Sequence, residues 1–130
     1  MTEPRWLSRR IIDAVHRELI QEHGGRQGVR DSGLIDSALG RPQHRWAYER
    51  EPDLAELTAA YGFGLAKNHG FVDGNKRIAL ATIALFLRIN GWRLSAAEAE
   101  AVVVITDLAA GSVSEEELAS WIRARMQPLP

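Results

Sequence analysis

Ten consecutive residues, Ile78 to Leu87, are apolar except for Thr82, and no other feature of this chain constrains its fold as tightly. The run lies between Arg77 and Arg88 and is too short for a bilayer, which takes about 20 apolar residues as a helix. A helix that is apolar all round has to be buried on all sides. The expected architecture is therefore a helical bundle packed around residues 78–90, with Gly91 as the stop. Directly before the run stands His69-Gly70-Phe71-Val72-Asp73-Gly74-Asn75-Lys76-Arg77. Packing alone does not explain so many polar groups where a central helix begins.

The other segments read as helices too. Leu7, Ile11, Val15 and Leu19 recur every four residues up to about His23, and Gly24-Gly25 ends that helix. Asp31 or Ser32 caps a short second helix carrying Leu34, Ile35 and Leu39, stopped by Gly40 with Pro42 beyond. Residues 41–52 hold two prolines and no period, so they read as the longest loop, with Trp46 and Tyr48 either tucked into the core or offered to a partner. Asp53 and Glu56 form a capping box for a third helix running to about Asn68, in which Gly62 and Gly64 would let another helix approach closely. Ser95 with Glu98, and Ser114 with Glu117, open a fifth and a sixth. Only Trp92-Arg93-Leu94 hints at a strand. The reading is an all-α bundle of about six helices, and at 130 residues one domain spanning 1–130.

Composition removes several function classes. With no cysteine there is no disulfide, thiol nucleophile or thiolate metal site, which suits a reducing cytoplasm. A net charge of -1 gives no electrostatic footprint for nucleic acid. Asp13, His16, Arg17 and Glu18 interrupt the N-terminal region where an export signal needs an apolar run, so a cytoplasmic protein without a membrane anchor is expected.

The loop itself suggests chemistry. A helix N-terminus offers unpaired N–H groups and the positive end of a dipole, both favourable to phosphate. Gly74 lets backbone approach a ligand, the Asn75 amide can donate, and Lys76 and Arg77 add charge. Asp73 either pairs with those cations, caps the helix, or holds Mg²⁺ on a nucleotide, for which one carboxylate is enough. His69 has the side chain suited to a general base near neutral pH, unless it serves only to cap the third helix. Phe71 reads as an anchor in the core.

At these residues the chain resembles the Fic/Doc family, and within it the death-on-curing (Doc) toxin branch. The family signature is His-Pro-Phe-x-Asp/Glu-Gly-Asn-Gly-Arg-x-x-Arg, with Lys for the last Gly in the Doc variant. His69, Phe71, Asp73, Gly74, Asn75, Lys76 and Arg77 match that variant. Gly-Val-Arg-Asp at 28–31, Ser-Ala-Leu-Gly-Arg-Pro-Gln at 37–43, Asn-Gly at 90–91 and Ala-Ala-Gly at 109–111 extend the likeness over nearly the whole chain. The resemblance implies a Fic/Doc fold, ATP with Mg²⁺, and transfer of part of the nucleotide to a protein hydroxyl. It implies His69 as base, Asp73 as metal ligand and Gly74, Asn75, Lys76 and Arg77 as the phosphate cradle. It also implies a toxin that phosphorylates a translation factor such as elongation factor Tu, held silent by the C-terminal segment of an antitoxin. Transfer of AMP, or a silent antitoxin-binding domain, are the alternatives. Two departures stand out: Gly70 replaces the usual Pro, removing a fixed φ, and Leu80 replaces the second Arg, which favours phosphate over AMP transfer.

Overall fold

Four of the six helices start where a short polar side chain takes one of the first free N–H groups. In the computed structural model, which describes residues 1–130, Ser8 accepts from the Ile11 N–H and α1 runs Arg9–His23. Asp31 accepts from Leu34 N–H at 3.1 Å and opens α2, Ser32–Tyr48. Asp53 and Glu56 close their capping box at 2.8 and 3.4 Å ahead of α3, Leu54–Asn68. Then come α4, Asn75–Ile89, and the strand β1, Trp92–Leu94. After α5, Glu98–Ala110, the Ser114–Glu117 box opens α6, Glu115–Arg125, and β2, Met126–Pro128, is the last element. The two strands pair antiparallel, with Arg93 opposite Gln127. The all-α class and the six helices are as expected.

Four details differ from the sequence reading. The helix that the others surround is α3, not α4. Eleven residues of α3 are buried and it packs on α2, α4, α5 and α6. On α4, Ala84 is exposed and Leu80, Ala81 and Leu85 are half-buried. The reason lies in residue size. Ala59, Ala60, Gly62, Gly64 and Ala66 let neighbours close in all round α3, and a Cβ at Gly62 would sit 2.6 Å from Ile83 Cδ1 of α4. At Gly64 it would sit 3.0 Å from Ala38 of α2, so both glycines act as close-approach points, as expected.

Secondly, α2 does not stop at Gly40, and residues 41–48 are helical rather than loop. Pro42 removes one helical N–H, but it is buried, and continuing the helix lets Arg41 and Arg45 reach Glu115 of α6. Arg45 also pairs with Glu56 at 3.0 Å, so tertiary ion pairs and packing outweigh the local breakers. Trp46 is half-buried against the core while Tyr48, 78% exposed, is not. Thirdly, Ser95 does not cap α5. Ala97 holds that position without a side-chain bond, and the Ser95 N–H donates instead to the Arg125 carbonyl at 2.7 Å. Lastly, Met126–Pro128, which showed no strand pattern, is the partner of Trp92–Leu94. No helix is long and apolar enough to cross a membrane.

Candidate active site

The turn from α3 into α4 opens onto a cavity of about 510 Å³, and all six residues singled out from the sequence line it: His69, Asp73, Gly74, Asn75, Lys76 and Arg77. His69 ends α3 in the left-handed conformation, φ 50° and ψ 47°, a position that glycine or asparagine usually takes. For a residue with a Cβ that conformation costs roughly 1–2 kcal/mol. The side chain is exposed, makes no hydrogen bond, and is free to face a ligand. Its backbone is not free. Arg30 Nε donates to the His69 carbonyl at 2.7 Å and Arg30 Nη2 to the Asn68 carbonyl at 3.1 Å.

Asp73 does not cap α4; Gly74 does, at φ 75°, without a side-chain bond. The Asp73 carboxylate accepts the Arg26 N–H at 3.1 Å and the Gly74 N–H at 2.8 Å. Those two donors, Arg26 foremost, together with the charge of Arg77, hold its carboxyl below the usual range. The approach depends on Gly25, where a Cβ would come within 2.8 Å of Asp73 Oδ2.

Beyond Gly74 the first intrahelical bond is made by the Ile78 N–H to the Gly74 carbonyl. The N–H groups of Asn75, Lys76 and Arg77 have no acceptor within the protein. Lys76 makes no ion pair, and Arg77 Nη1 donates only to the Gly24 carbonyl at 3.2 Å. Three aligned donors and two cations thus meet at the positive end of the α4 dipole, an arrangement suited to phosphate. Asn75 contributes differently from the sequence expectation. Its Oδ1 accepts the Phe71 N–H and its Nδ2 donates to the Phe71 carbonyl, both at 3.0 Å. The side chain staples the loop, and what remains toward an anion is chiefly the Asn75 backbone N–H. Phe71, 2% exposed, anchors the loop in the core as expected.

The profile of the Fic/DOC family matches residues 6–87. The chain belongs to the Fic/DOC family. It is similar to "Protein kinase doc" of Escherichia phage P1, with 36% identity over 119 residues, 92% of this chain and 94% of that protein. It is also similar to "Toxin Doc" of Mycolicibacterium smegmatis, at 47% identity over 74 residues, 56% of this chain and 57% of the relative.

This Fic/DOC site can be tested against the metal its family implies. No group of three or more His, Cys, Asp or Glu side chains converges anywhere, so the protein alone does not enclose a cation. An ionised Asp73 with lone pairs to spare, beside an anion-attracting helix end, fits a magnesium ion that arrives with phosphate oxygens already bound. Sequence reading missed the residues that hold this Fic/DOC loop in place: His16, Gly25, Arg26 and Arg30. It also missed the opposite wall of the cavity, where Glu98, Val102 and Thr106 recur every four residues along α5.

Proposed function

We infer that the protein is a Doc-type toxin of a toxin–antitoxin system, transferring the terminal phosphate of ATP to a hydroxyl of a target protein. The observation that carries this reading is the convergence, on one cavity, of an uncommitted histidine, an ionised carboxylate and three unpaired N–H groups flanked by Lys76 and Arg77. The family membership and the two named relatives support it.

In this reading the free N–H groups of residues 75–77, with Lys76 and Arg77, hold the phosphates. Asp73 would hold the magnesium ion of the nucleotide, which supplies charge neutralisation of the phosphates when bound. The target hydroxyl loses its proton to His69 as its oxygen bonds to the γ-phosphorus. The bond from that phosphorus to the β–γ bridging oxygen breaks, and ADP leaves. A base so placed contributes about 10²–10⁴-fold to the rate. Terminal transfer rather than AMP transfer is favoured by Leu80, which lines the cavity where the family signature has its second Arg. The proposed target is a translation factor of the elongation factor Tu type, and an antitoxin whose C-terminal segment folds on the toxin is the proposed partner.

Label placement tests this directly. With ATP labelled on the γ-phosphate, a translating lysate should yield one labelled protein of elongation-factor size, and α-label should yield none. His69→Ala should abolish the transfer without altering the fold, since the ring is exposed and unbonded. Transfer of α-label would assign AMP transfer instead. No transfer of either label would leave a silent domain.

A further inference from the structure

His16 is a buried histidine that the proposed chemistry does not use. It lies on α1, 57 residues before Asp73, and is 3% exposed. Its ring stacks on Phe71 with centroids 3.8 Å apart and an interplanar angle of 13°. Its Nε2 lies 2.7 Å from the Asp73 carbonyl oxygen. A carbonyl oxygen only accepts, so Nε2 is assigned as the protonated nitrogen. The same ring borders Gly74, where a Cβ would stand 3.5 Å from Nε2.

We propose that His16 is a positioning residue of the active-site loop, fixing the Asp73–Gly74 peptide from beneath through an Nε2–H bond to its carbonyl. This deepens the reading of the loop as a nucleotide site and rests on it for its kinetic consequence. The peptide in question joins the candidate metal ligand to the helix end that faces the phosphates. Its N–H half is held by the Asp73 carboxylate at 2.8 Å, and its carbonyl half by His16. With both halves held, the plane cannot rotate. Gly74 adopts φ 75°, a region where glycine moves at little steric cost, so this is where the loop most needs an outside restraint. Rotation of that one plane would swing the Asp73 carboxylate away from the Arg26 N–H and re-aim the N–H groups of residues 75–77. The restraint comes from another helix because the two polar side chains that flank this peptide are already engaged. Asn75 is bonded to Phe71, and Asp73 to Arg26 and Gly74.

Two substitutions separate the donor from the ring. His16→Phe keeps a stacking ring over Phe71 and loses the N–H, whereas His16→Gln keeps an N–H donor near the Nε2 position and loses the ring. Expected first is an Nε2–H tautomer in the ¹⁵N spectrum of the wild-type imidazole. Expected next, in His16→Phe, are faster exchange of the Gly74 amide and an apparent affinity for Mg·ATP lower by about 10–100-fold, the range typical of lost orienting contacts, with melting little changed. His16→Gln should restore most of that affinity. A neutral Nδ1–H tautomer, or a His16→Phe protein with wild-type amide exchange and KM, would overturn the proposal. So would equal damage from both variants, which would mean that only ring volume matters. If His16→Phe does not fold, the wild-type tautomer decides alone. If the wild-type protein transfers no phosphate, the functional reading fails, while tautomer and amide exchange still test the role of His16.

Discussion

Replacing Asn75 by Ala separates a stapling side chain from a phosphate ligand. Asn75 is 8% exposed and serves both backbone groups of Phe71, itself 2% exposed. Truncation leaves a buried N–H and a buried C=O without partners. Each such orphan costs about 1–3 kcal/mol, so two would cost about 2–6 kcal/mol in a sealed site. The cavity next to Asn75 admits water, which moves the expectation to about 2–4 kcal/mol. For a domain of this size that lowers the melting temperature by roughly 10 °C. Urea unfolding followed by far-UV circular dichroism gives the free energy, and a thermal scan gives the shift. Nucleotide affinity should fall too, because Phe71 and the loop lose their register together. A side chain that only touched phosphate would behave differently. Its removal would abolish nucleotide binding and leave stability within about 0.5 kcal/mol of wild type, as surface substitutions usually do. That second pattern would refute the staple.

Two further predictions concern titration. Asp73→Asn should weaken the apparent magnesium affinity by about tenfold or more in transfer assays, and unchanged metal dependence would remove Asp73 from that role. The folded-state pKa of Asp73 is depressed, so its contribution to stability is present above the ordinary value of 3.8 and is lost as pH falls through the folded value. The Asn variant should accordingly show a flatter acid limb in its stability profile. Tyr61 is fully buried, and burial raises its pKa above 10.0 while the Leu7 N–H, donated to its hydroxyl at 3.1 Å, opposes the rise. The folded chain holds that proton longer than the unfolded chain, so stability should decline as pH rises past 10.0. Tyr61→Phe should be less stable at neutral pH, having left the Leu7 N–H without a partner, yet lose less on going alkaline.

What was legible in the sequence was local or contiguous. The capping boxes at Asp53–Glu56 and Ser114–Glu117 are settled within four residues, and both formed. The loop from His69 to Arg77 is one uninterrupted stretch, so its residues were bound to share a neighbourhood, and all but Gly70 and Phe71 line one cavity. What failed depended on distant partners. Gly40 and Pro42 look like a helix stop until Glu115, over 70 residues away, is seen to pair with Arg41 and Arg45. Ser95 looks like a cap until the returning strand takes its N–H to Arg125. Counting apolar residues favoured α4 as the centre, but closeness of approach favours small ones, and α3 has them. The site followed the same rule. Its candidate reactive groups carry recognisable side chains, whereas the contacts that support them end on backbone carbonyls and N–H groups, which have no residue signature.

The departure at Gly70 shows how such support replaces a missing constraint. A proline there would fix φ just after the left-handed His69 and so help to hold the ring in place. Here the space beside Gly70 is taken: a Cβ would lie 2.4 Å from Ile35 Cγ1, so in this packing even an alanine would displace Ile35. Arg30 supplies the restraint instead. Its N–H donates to the Gly70 carbonyl at 2.8 Å, its Nε to His69 and its Nη2 to Asn68. One residue thereby satisfies three successive carbonyls at the end of α3 and places a cation at the negative end of that helix dipole. The Asp31 N–H adds a second bond to Gly70 at 2.9 Å, and the Val29–Phe71 bridge continues the attachment into the loop. The His69 backbone is thus fixed by tertiary contacts rather than by a proline at the next position. Its preorganisation therefore depends on the segment 28–31 staying docked, and that segment is as much a part of the candidate site as the loop it holds.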